Sequence, residues 1–86
     1  DPLERALLQL QQRLAALDAA RLPAESVAIW LQRIAAHWPQ QRAAMLRLAS
    51  LDDRQRYAAD ADPQQRTEMK ALCRQLLRQL PRRRVK

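Results

Sequence analysis

Arg66, Lys70, Arg74, Arg78 and Arg82 recur every four residues, and Arg83 and Arg84 follow at once. Residues four apart on an α-helix are surface neighbours, so these side chains would form one slanted cationic ridge. Like charges at that spacing cost roughly 0.2–0.5 kcal/mol per pair. Cations suit the C-terminal end of a helix dipole, which offsets part of this. The charge is also lopsided along the chain. Residues 1–62 carry eight arginines against eight acids, whereas residues 63–86 carry eight basic residues against Glu68 alone. The whole net charge of +7 therefore belongs to the last segment.

Three partners suit such a ridge. An acidic protein surface would pair its carboxylates with the arginine forks. Nucleic-acid phosphates would be held without choice of sequence. An anionic membrane surface fits less well, because an interfacial helix usually carries aromatics on its apolar face and this one has none. Against sequence-specific nucleic-acid reading, the basic segment has no interleaved aromatic to stack on bases. A solvated face that keeps the domain soluble competes with all three.

Other chemistry finds little raw material. His37 is the only histidine and Cys73 the only cysteine, so the spacings that hold zinc are missing and no metal site is expected. Asp52 and Asp53 are adjacent, and Asp60 and Asp62 flank a turn; helix capping accounts for all four. Ser26 or Ser50 could in principle meet His37, but nothing in the spacing brings a hydroxyl to the imidazole. His37, beside Trp38-Pro39 at a helix junction, reads as an exposed residue rather than a pH sensor. There is no glycine in the chain. Phosphate-cradling loops, dinucleotide fingerprints and nucleophile elbows rely on that residue. The sequence thus predicts no enzyme and no cofactor.

The elements that must position the ridge are helical, since Leu, Ala, Arg and Gln dominate and all are good helix formers. A first helix is predicted from Pro2 to about Ala20, capped by Asp1, with Leu3, Leu7, Leu10, Leu14 and Leu17 as a short heptad seam. That seam packs within the domain or, on a second reading, forms a homodimer. A second helix is predicted from about Pro23 to His37, with Val27, Trp30, Leu31, Ile34 and Trp38 on its apolar face. A third starts at Pro39 and runs to about Ala49, burying Met45, Leu46 and Leu48. Ser50 and Asp53 match a capping box, so a short fourth helix follows over Leu51 to about Ala59, or the third continues through it. The last helix begins at Asp62-Pro63 and ends at Pro81, with Met69, Leu72, Cys73, Leu76, Leu77 and Leu80 inward. The segments from Pro39 and Pro63 match at six of ten positions, which shared composition explains better than a true repeat.

Eighty-six residues make one domain. The expectation is all-α: a compact bundle of four to five short helices over residues 1–81, with a basic tail at 82–86. A single cysteine agrees with a reducing, cytoplasmic setting. Fourteen arginines against two lysines, with abundant Ala and Leu, suggest bacterial GC-rich coding. The chain opens without Met, as a processed or excised piece would, and this leaves a removed export signal open. The function expected is a non-catalytic interaction or regulatory module of a larger protein or assembly. It would recognise an acidic partner through Arg66, Lys70, Arg74, Arg78, Arg82, Arg83 and Arg84; the alternative is non-specific phosphate binding by the same residues.

Overall fold

In the computed structural model of the chain, which describes residues 1–57 and 62–82, four of the five prolines do two different jobs. Pro2 and Pro63 each follow an aspartate and open a helix. The Asp1 carboxylate accepts from the Leu3 N–H at 2.8 Å and the Asp62 carboxylate from the Gln64 N–H at 2.9 Å. This is the arrangement in which a cap and a first-turn proline reinforce each other. Pro23 and Pro39 lack such a cap, and neither begins a helix. The Glu25 N–H donates to the Leu22 carbonyl at 3.0 Å, and the Gln41 N–H to that of Trp38 at 2.9 Å. Both prolines therefore occupy the second position of a β-turn, which their fixed φ favours.

The helices are α1 (Pro2–Ala16), α2 (Val27–Ile34) with a 3-10 extension (Ala35–His37), α3 (Arg42–Tyr57) and α4 (Pro63–Gln79). The expected starts at Pro23 and Pro39 thus move to Val27, behind the Ser26 cap, and to Arg42. The first helix ends four residues sooner than predicted. The Ala19 N–H reaches back to the Leu14 carbonyl at 2.8 Å, the Asp18 N–H to Ala15 at 3.1 Å, and Asp18 has φ +63°. That is a Schellman ending with aspartate in the left-handed position usually given to glycine. Of the two readings beyond Ala49, the continuous one holds: α3 runs on to Tyr57. Leu48 and Leu51, three apart and fully buried, continue its inner stripe across Ser50. Core burial there outweighs a local cap, so the Ser50–Asp53 capping box is not used. The final helix ends as expected, since Leu80 is extended at ψ 144° before Pro81.

Among the described residues four α-helices pack into an all-α arrangement, with a radius of gyration of 12.4 Å against about 12 Å for a compact chain of this length. α2 packs on α3, α3 on α4, and α4 on α1. One hydrophobic core joins them, centred on Trp30, Leu10, Leu14, Ile34, Met45 and Leu76. Leu7, Leu17, Val27, Leu46 and Leu72 lie at its margin rather than inside it. Ala6, Ala28, Ala35 and Ala49 are buried as well. No charged side chain is buried among the described residues.

Candidate interaction surface on α1 and α4

α1 and α4 lie side by side and run parallel. At their starts Arg66 is ion-paired with Asp1. Towards their ends Arg13 Nη1 donates to the Leu77 carbonyl at 2.8 Å and to the Leu80 carbonyl at 3.2 Å. Parallel helices bring their C-terminal partial charges together, and a guanidinium on those carbonyls counters the repulsion. The α4 C-terminus is thereby held by a residue 64 positions earlier in sequence.

The predicted ridge is divided by this packing. Arg66 is occupied by Asp1, and Lys70 is half-buried beside the seam. Arg74, Arg78 and Arg82 are exposed, with no ion-pair partner among the described residues. Arg83 and Arg84 lie outside the described residues, as does Asp60. On the α2–α3 side Arg33 and Arg47 are engaged, while Arg42, Arg54 and Arg56 are exposed with no salt bridge among the described residues. Arg33 forks onto Glu25 at 2.7 and 2.8 Å. Arg47 does the same to Glu68, at 2.7 and 3.0 Å. Glu25 is held down to about 2 by that fork and by the Leu22 N–H, while Glu68 is lowered by its Arg47 hydrogen bonds.

Two shallow grooves follow the α1–α4 seam and share Gln9. One is lined by Pro2, Arg5, Ala6, Gln9 and Arg74. The other is lined by Gln9, Gln12, Arg13, Ala16, Leu77 and Arg82. Among the described residues neither groove has an acidic or aromatic wall. Arg5 and Arg13 belong to residues 1–62, whose charge sums to zero, and are not among the predicted ridge residues. Their spacing of eight, the same as Arg74 to Arg82, was the signal available in the sequence. Leu8 is 54% exposed on α1, one turn from both Arg5 and Gln12.

The remaining polar residues stay apart. Ser26 accepts from the Ile29 N–H at 3.1 Å as the α2 cap, and Ser50 is exposed on α3. His37 is exposed, its ring edge-on to Trp38 at 6.1 Å. No three of His, Cys, Asp and Glu gather among the described residues. Cys73 is buried, and burial with the nearby Asp52 charge pushes its thiol up to about 12. Burial likewise raises Asp52, against the pull of Arg56. A separate groove between α2 and α3 is lined by Gln32, Ser50, Asp53, Arg54 and Tyr57. Its charges balance and Tyr57 is exposed there; Ile29, also exposed, lines a neighbouring groove that shares Gln32, Asp53 and Tyr57. No helix among the described residues is long and apolar enough to cross a membrane. No protein family matches this chain, and neither the curated proteins nor the solved structures provide a match.

Proposed function

We propose that the domain is a non-catalytic interaction module that recognises an acidic protein surface through the exposed arginines of α4. The observation carrying this reading is the clustering of exposed arginines along the α1–α4 seam, where neither groove has an acidic wall among the described residues. Arg33, Arg47 and Arg66 are ion-paired within the chain, while Arg74, Arg78 and Arg82 stand exposed without such partners. A rigid helix supports the first two, and guanidinium forks match carboxylates bidentately. Among the described residues neither groove holds an aromatic platform for bases.

The test is Arg74→Glu with Arg78→Glu. Each exchange removes one positive charge and adds one negative, so the net charge falls from +7 to +3. Helix content by circular dichroism should be unchanged, because surface substitutions usually stay within about 0.5 kcal/mol. Titration with polyglutamate should lose most of its signal. Retained binding by a folded double variant would move the interaction surface away from α4.

A further inference from the structure

Resting on that reading, we infer that the element recognised is an acidic α-helix lying along the α1–α4 seam, with carboxylates seven residues apart. The seam carries two guanidinium pairs: Arg5 of α1 with Arg74 of α4, and Arg13 of α1 with Arg82, which follows the α4 C-terminus. Gln9 lies between them and lines both grooves. Arg5 and Arg13 are eight residues apart, about 12 Å along α1 at 1.5 Å per residue. On a helix laid in the seam, positions seven apart fall on one stripe about 10.5 Å apart. The two carboxylates then meet the two pairs.

A helix suits the seam better than an extended segment. The walls are helices whose own backbone groups are already paired, so they offer an extended peptide few partners for its N–H and C=O groups. A helical partner satisfies those groups internally and brings only side chains. Arg13 can take part while holding α4. It spends Nη1 on the Leu77 and Leu80 carbonyls, and its remaining N–H groups are not used in those bonds.

The experiment uses the 86-residue chain and three labelled probes at low ionic strength. One is a stapled alanine-based helix with two glutamates seven apart, the second has them four apart, and the third is polyglutamate. The seven-spaced helix should bind about tenfold tighter than the four-spaced one, the factor expected from one charge-assisted hydrogen-bonding contact. Arg5→Gln should lose about that factor, and Arg42→Gln, exposed at the start of α3 and outside both grooves, should stay within about twofold. Equal binding of both helices, or dependence on Arg78 and not on Arg5, overturns the seam while leaving acidic recognition by α4 standing. No binding of any acidic probe overturns both readings. Displacement of the helix by a mixed-sequence oligonucleotide, with affinity falling steeply in salt, would replace the protein partner with nucleic acid.

Discussion

Trp30 Nε1 donates to the Ala19 carbonyl at 2.8 Å inside the core. This bond ties α2 to the segment that leaves α1, two helices that otherwise pack against different neighbours. Trp30 is also the largest fully buried side chain. Trp30→Phe keeps most of the volume but orphans the carbonyl, so it should cost about 1–3 kcal/mol. Trp30→Ala adds a cavity and should cost about 3–5 kcal/mol, enough to unfold a domain this small. Urea titration followed by Trp38 fluorescence separates the two. An unchanged midpoint for the Phe variant would show that the bond contributes nothing.

Asp18 holds a left-handed conformation at φ +63°, which costs a residue bearing Cβ about 1–2 kcal/mol. Asp18→Ala and Asp18→Gly both delete the carboxylate, so their difference isolates the backbone. The glycine variant should be about 1 kcal/mol more stable than the alanine variant, after allowing for glycine's greater freedom when unfolded. Equal thermal midpoints would contradict the Schellman ending of α1.

Acid should loosen the α1–α2 connection through Glu25. Its folded pKa, about 2, lies below the ordinary 4.5 because Arg33 and the Leu22 N–H bind the carboxylate. A depressed carboxylate contributes stability above its unfolded pKa and loses it as pH falls through the folded value. The window therefore runs from about 4.5 down to about 2. Glu25→Gln should flatten the stability curve in that window and leave its shape near neutrality unchanged. A wild-type curve that matches the variant throughout would remove Glu25 from the account. Asp52, raised by burial, acts with the opposite sign and is common to both proteins.

Cys73 should be inert in the folded chain. Its thiol is buried and pushed up to about 12 from 9.0, and the thiolate is the form that reacts. Iodoacetamide at mildly alkaline pH should label it only after denaturant is added. Because the unfolded thiol ionises first, stability should fall as pH rises from about 9 towards about 12. Fast labelling of native protein would place Cys73 at the surface.

The helices were legible because their signals are local. Asp-Pro pairs mark the starts of α1 and α4, and the leucine and methionine spacing marks their inner faces. The differences have separate causes. Leu22-Pro23 and Trp38-Pro39 look like helix starts until the missing cap is noticed, and then they read as turns. The end of α1 carried no glycine to announce it, because Asp18 takes that place. Whether α3 runs through Ser50 depends on what Leu48 and Leu51 touch, which is a tertiary fact. The candidate surface was half legible. A four-residue period exposed Arg74, Arg78 and Arg82, whereas Arg5 and Arg13 become relevant only once α1 lies beside α4.

Arg13 ties that surface to the stability of the fold. Its guanidinium serves two carbonyls at the α4 C-terminus, at 2.8 and 3.2 Å, where no α-helical N–H can follow. Arg13→Met keeps much of the aliphatic stem and its packing but removes every donor. Hydrogen bonds to charged groups contribute about 1.5–3 kcal/mol, and partial access of water to these carbonyls places the expected cost near the low end. The urea midpoint should fall with the slope unchanged, the mark of lost stability without a changed unfolded state. Amide exchange at Leu80, whose N–H donates to the Leu76 carbonyl at 2.8 Å, should quicken more than exchange at Met69 in the middle of the core. That difference distinguishes local fraying of the α4 end from uniform loosening. If Arg13→Met leaves both the midpoint and Leu80 exchange unchanged, the guanidinium does not hold α4, and the shared register of Arg74 and Arg82 with α1 loses its anchor.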